Sequence, residues 1–128
     1  MQENTEVTVV VQETDIKTLL ENEFGIGSVM VDIAKCESGY RQFDKDGNVL
    51  RGEQNSLDIG LYQINEYYHL EASKKFGVDI YTLEGNISYA KYLYATQGVQ
   101  PWAWSNDCHR STPTWGRGSN GFTRKDYE

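Results

Sequence analysis

At 128 residues the chain is long enough to bury the core of one ordinary domain without a structural metal. Its formal net charge of −7 lacks the basic surplus that phosphate backbones and anionic bilayers attract, so neither nucleic acid nor membrane insertion is expected. Twelve glycines against two prolines point to many turns and no proline-rich linker.

Residues 1–14 read as a polar N-terminal arm carrying the β-branched run Val7–Val11, an edge strand or a loose segment. The opening MQENTEV is acidic where a leader would be positive, and no apolar stretch follows. Asp15 is placed to cap a first helix through Leu19, Leu20 and Phe24, ended by Gly25. Ser28 then caps a second helix, VMVDIAKCE, ended near Gly39. From Tyr40 to about Ile59 the helical period is lost, and the Asp-Gly signal in YRQFDKDGNVLRG predicts a small hairpin. GLYQINEYYHLEASKKFG returns to helix or irregular turns. Thr82 caps a long last helix closed by Gly98, with Leu83, Ile87, Ala90 and Tyr94 as its buried stripe. WAWSNDC follows Pro101, and 111–128 is a tail rich in glycine and serine, expected to be flexible from about Arg117. This order predicts a mainly helical α+β domain over residues 15–110.

Chemistry shows on the second helix. Ile26, Met30 and Ile33 form an apolar stripe, and the next position along it is Glu37. At ~100° per residue Glu37 lies roughly 20° from Met30 and about 40° from Ile33 around the axis. A glutamate at a helix end ordinarily turns to solvent. One that continues an apolar stripe loses hydration and holds its proton to higher pH, and the negative end of the helix dipole acts in the same direction. Such a group suits proton donation to a leaving oxygen.

Asp58 stands 21 residues further on, beyond the hairpin, where the fold can set it across a cleft from Glu37. Asp44 and Asp46 are rivals, but DKDG is ordinary turn chemistry, and as a calcium loop it lacks the later glutamate. Cys36 and Cys108 have no zinc-ligand spacing, and His69 and His109 are isolated, which suits surface or capping positions. No metal or cofactor is called for.

The segments IAKCESGYRQF, DIGLYQIN, EGNISYAKYLY and PWAWSNDC resemble the lysozyme-like superfamily, nearest to the soluble lytic transglycosylase domains and resuscitation-promoting factors of bacteria. The likeness runs from about Ser28 to Cys108. It implies a lysozyme-like fold with a small hairpin beside the cleft, and cleavage of the β-1,4 bond between N-acetylmuramic acid and N-acetylglucosamine in peptidoglycan. It makes Glu37 the catalytic acid, and Asp58 matches the second carboxylate of animal-type lysozymes, which many lytic transglycosylases lack. It places Gln63 beside the scissile bond and makes Asn86 and Tyr92 shape the site. Tyr62, Tyr67 and Trp115 are candidates for stacking on sugar, with core or surface packing as the commoner role of such rings. Trp102 and Trp104 are expected to pack.

The resemblance also implies a Cys36–Cys108 disulfide, and with it a secreted or cell-envelope monomer whose leader has been removed. Hydrolysis and formation of a 1,6-anhydro product both remain open. A glycan-binding module without catalysis and a chitinase-like glycosidase are the alternatives.

Overall fold

The computed structural model describes residues 13–109, and the folded unit is α+β and mainly helical, as expected. The hydrophobic stretch Val7–Val11, Trp115 and the C-terminal tail lie outside the described residues. Helix α1 (Glu13–Phe24) begins two residues inside the expected arm, so Asp15 sits within its first turn and not at its cap. Ile16 and Leu20 are buried one turn apart, and Gly25 closes the helix by donating its N–H to the Glu21 carbonyl at 2.8 Å.

Helix α2 (Val29–Ser38) starts and stops where the capping residues dictate. The Ser28 hydroxyl accepts the Met30 N–H at 3.1 Å, and Gly39 takes the left-handed conformation that returns its N–H to the last turn. Met30, Ile33 and Ala34 are fully buried. Ile26 does not belong to this stripe: it lies in the turn before the cap and is 87% exposed. The relation between Met30 and Glu37 depends on the helix alone and is unaffected.

The expected hairpin over 40–52 forms as a small one, in which the Asp44 N–H donates to the Asn48 carbonyl at 2.7 Å and the Leu50 N–H to the Gln42 carbonyl at 2.9 Å. Asp44 Oδ1 accepts the N–H groups of Asp46 and Asn48 at 2.9 and 3.0 Å, and Phe43 and Val49 make one isolated antiparallel bridge. The two-stranded sheet falls later, where β1 (Asp58–Ile59) pairs antiparallel with β2 (Ile64–Asn65), and Arg51 bridges to Ile59. Helix α3 (Glu66–Phe76) follows directly, capped by Asn65, whose side chain accepts the Tyr68 N–H.

Helix α4 (Leu83–Gln97) is capped by Thr82 and ended at Gly98, as the sequence predicts. Its buried arc differs: Asn86, Tyr89 and Leu93 join Ile87 and Ala90, while Tyr94 is exposed. The helix is rotated so that Asn86 faces the 59–62 loop. A 3-10 helix (Gln100–Ser105) and the short α5 (Asn106–His109) complete the fold and pack on α2. Cys36 and Cys108 form a disulfide, with Cα atoms 6.0 Å apart, that joins α5 to the last turn of α2.

Two buried amides hold the loop that carries the β-turn. Asn86 accepts the Tyr62 N–H at 2.9 Å and donates to the carbonyls of Ile59 and Ile80 at 3.0 and 2.9 Å. Gln42 accepts the Leu61 N–H at 2.8 Å and donates to the Ile80 and Tyr81 carbonyls. Between them they satisfy main-chain groups of the 59–62 segment and of Ile80 and Tyr81. Replacing Asn86 by Leu takes this partner from the Tyr62 N–H and the Ile59 carbonyl, while Gln42 still serves the Ile80 carbonyl, and unsatisfied buried groups cost ~1–3 kcal/mol each. The expected result in urea unfolding is a loss of about 3 kcal/mol or more. A midpoint left where it was would show that the clamp holds nothing.

Candidate active site

One cleft of about 790 Å³ gathers Glu37 from the end of α2, Asp58 and Ile64 from the two strands, Gln63 from the turn between them, and His69 from α3. Trp104 and Tyr68 border it from the 3-10 helix and from α3. Three of the residues singled out in the sequence therefore meet: Glu37, Asp58 and Gln63.

Glu37 is partly buried, and loss of hydration pushes its carboxyl up to about 7 from an ordinary 4.5. The negative charge of Asp58 adds to the rise, while a hydrogen bond from Ser105 works against it. That bond is short: Ser105 Oγ donates to Glu37 Oε2 at 2.6 Å. Asp58 is also raised by burial, offset by the Asn65 amide, which donates to its Oδ1 at 3.1 Å. The two carboxyl groups thus differ in their surroundings. Glu37 keeps its proton to near neutrality, and Asp58 sits in a more polar setting beside an amide donor.

Gln63 is held in an uncommon shape. Its φ is +50°, its N–H donates to the Gly60 carbonyl at 3.0 Å, and its side-chain amide donates to the same carbonyl at 2.9 Å. Two glycines make this turn possible. Gly60 has φ +72° and would drive a Cβ to 2.6 Å from both the Asn86 and Gln42 amides. At Gly52 a Cβ would come within 2.8 Å of Gln63 Oε1. The Gly-Leu-Tyr-Gln run is thus shaped by packing from beneath and presents Gln63 to the cleft.

Three other positions expected at the site lie elsewhere. Tyr62 is fully buried: its hydroxyl donates to the Met30 carbonyl at 2.7 Å, and its ring packs on Phe24 and Trp102, so no sugar reaches it. Asn86 is fully buried in the loop clamp described above. Tyr92 is partly exposed but stacks on Phe76, with ring centroids 4.7 Å apart, away from the cleft lining. The two tryptophans both line the cleft but differ in exposure. Trp102 packs, as expected, its ring N–H donating to the Tyr62 carbonyl at 3.0 Å, whereas Trp104 is 76% exposed on the cleft border.

Neither histidine is a plain surface group. His69 lines the cleft with Nδ1 3.0 Å from the Tyr89 hydroxyl, and partial burial lowers its pKa. His109 is buried with Nε2 3.3 Å from the Trp102 carbonyl; burial lowers its pKa too. Tyr67, the other exposed candidate, packs edge-on against Tyr68, and it is Tyr68 that lines the cleft.

Sequence reading missed Gln42, Ser105, Tyr68 and Trp104 as contributors. Gln42 and Ser105 stand inside the quoted segments YRQF and PWAWSNDC, but nothing in spacing distinguishes them from ordinary polar residues.

Comparison of the chain with protein-family models, with curated proteins and with solved structures finds no match. What is shown is a mainly helical α+β protein with a disulfide and a cleft carrying two carboxyl groups in unlike settings. Its function is argued from those residues.

Proposed function

We propose that this protein cleaves the glycan strands of peptidoglycan at the β-1,4 bond between N-acetylmuramic acid and N-acetylglucosamine, and that its fold is lysozyme-like. The observation that carries the reading is Glu37, a carboxyl group pushed up to about 7 on the wall of an open cleft that also holds Asp58. Protonated near neutral pH, Glu37 gives its proton to the bridging oxygen, which leaves with the N-acetylglucosamine, as positive charge develops on the anomeric carbon of the muramyl sugar. In the hydrolytic ending Asp58 stabilises or traps that cation, and ionised Glu37 then activates water. In the transglycosylase ending Glu37 takes the proton of the muramyl 6-hydroxyl, which closes a 1,6-anhydro ring. The Cys36–Cys108 disulfide suits an oxidising compartment outside the cytoplasm, where wall glycan is found.

Mass spectrometry of fragments released from purified cell wall tests the reading. Fragments with a reducing end indicate hydrolysis, and fragments with an anhydro end indicate transglycosylation. Wall that is bound but releases nothing would point to a binding module, and cleavage of chitin oligomers alone to a chitinase-like enzyme.

Trp104 and Tyr68 are largely exposed and line the cleft, where an aromatic side chain can pack on a sugar. Trp104→Ala is expected to raise KM for soluble glycan fragments about threefold to tenfold while kcat changes little, since stacking of this kind is worth ~0.5–1.5 kcal/mol. Equal KM for the variant and the parent would remove Trp104 from the binding surface.

A further inference from the structure

We propose that Ser105 is a positioning residue for Glu37: its hydroxyl anchors one carboxyl oxygen, so that the acid's proton is carried on the other and offered to the cleft. The inference rests on Glu37 acting as the acid of the reaction proposed above.

Ser105 Oγ lies 2.6 Å from Glu37 Oε2 and 3.2 Å from the Trp102 carbonyl, and a hydroxyl has one proton to donate. The shorter contact takes it, and the bond strengthens further when Glu37 is ionised. Oε2 is then occupied as an acceptor. Among the described residues Oε1 has no hydrogen-bond partner, so it is the oxygen left to carry and receive the catalytic proton.

The hydroxyl is held where it is by covalent structure. Ser105 stands three residues before Cys108, and Glu37 directly follows Cys36, so the disulfide closes a short path between the two. The Trp102 carbonyl, which also faces His109 Nε2 at 3.3 Å, gives the hydroxyl a second acceptor if Glu37 swings away.

A donor that favours the anion has a second consequence. Burial and Asp58 both favour the protonated form of Glu37, and among the described residues it is Ser105 that opposes them. The other titratable groups near the cleft among the described residues are Tyr68 and His69 on α3 and His109 on α5, and the rise of Glu37 is not traced to them. Glu37 has to act as acid in one step and as base in the next, which needs both forms within reach at one pH. Ser105 keeps the ionised form within reach.

The test is a titration of the Glu37 carboxyl carbon by NMR in the full chain, assigned with Glu37→Gln, for the parent, Ser105→Ala and Ser105→Thr. Ser105→Ala is expected to raise the midpoint by about one pH unit, and Ser105→Thr to leave it near that of the parent. On cell wall, Ser105→Ala should move the alkaline limb of the pH–rate profile upward by the same amount and lower kcat about tenfold with KM unchanged; Ser105→Thr should restore both. Should the alanine variant fail to fold, Ser105→Gly removes the same hydroxyl and gives the same readout. A midpoint unmoved without the hydroxyl overturns the proposal, as does failure of Thr to restore it. The glycosidase reading fails separately, through a Glu37→Gln variant that still cleaves wall, and the titration decides on Ser105 in either case.

Discussion

Glu37→Gln is expected to lower kcat for wall cleavage about a thousandfold or more while leaving the fold intact. General acid catalysis contributes ~100- to 10,000-fold, and here the same group also serves as base. The amide matches the carboxyl in shape and can still accept the Ser105 hydroxyl through its oxygen, so the loss reports chemistry and not unfolding. Thermal unfolding of the variant, measured beside its rate, separates the two. A variant with parental activity would leave the proposed reaction without its acid.

The pH dependence follows from the same groups. Glu37 has to be protonated to act first, so activity falls as pH rises through about 7. If Asp58 acts as an anion, activity also falls as pH drops through its own midpoint, which burial raises above the ordinary 3.8. Asp58→Asn removes that acid limb. It also removes a negative charge that helps hold the proton on Glu37, so the alkaline limb moves to lower pH. In a hydrolase the substitution cuts kcat sharply, and in a transglycosylase it leaves kcat close to the parent's. A single pH–rate series on this variant therefore bears on the ending of the reaction as well as on Asp58.

Removing the disulfide is expected to have the largest effect on stability. The bridge spans a separation of 72 residues, and closing a loop of that length restricts the unfolded chain by about 4 kcal/mol. Set against the ~5–15 kcal/mol that holds a typical domain together, this is a large share. The double variant Cys36→Ser with Cys108→Ser should unfold roughly 15 °C below the parent. The parent treated with a thiol reductant should match it. The bridge also fastens the 3-10 helix, with Trp104 and Ser105, to the helix bearing Glu37, so activity should fall at temperatures where circular dichroism still reports a folded protein. Equal melting temperatures with and without reductant would show that packing of α5 on α2 suffices.

Local chemistry was legible in the sequence wherever one residue decides it. Ser28, Thr82, Gly25, Gly39 and Gly98 act on the main chain within a few positions of themselves, and each bounds a helix as read. Glu37 was legible for the same reason, because helical periodicity alone relates it to Met30. Positions set by distant partners were not legible. Ile26 matches the period of α2, but the Ser28 cap starts the helix after it. Tyr94 fits a stripe on α4, but the need to place Asn86 against the Ile59 and Ile80 carbonyls turns the helix away from it.

The cleft itself belongs to the second kind. Tyr62 and Gln63 are neighbours in GLYQIN, and only the turn at Gly60, wedged against the Gln42 and Asn86 amides, sends one ring into the core and the other side chain to the cleft. Likewise nothing in WAWSN separates Trp102 from Trp104 until the segment lies against α2, with one ring over Tyr62 and the other at the border of the opening. By itself the sequence determined both ends of α2 and α4, the end of α1 and the place of Glu37 along the stripe of α2, because these follow from interactions along a few residues. Tertiary structure decided which polar and aromatic groups face the cleft, because burial and hydrogen bonding there depend on residues far apart in the chain.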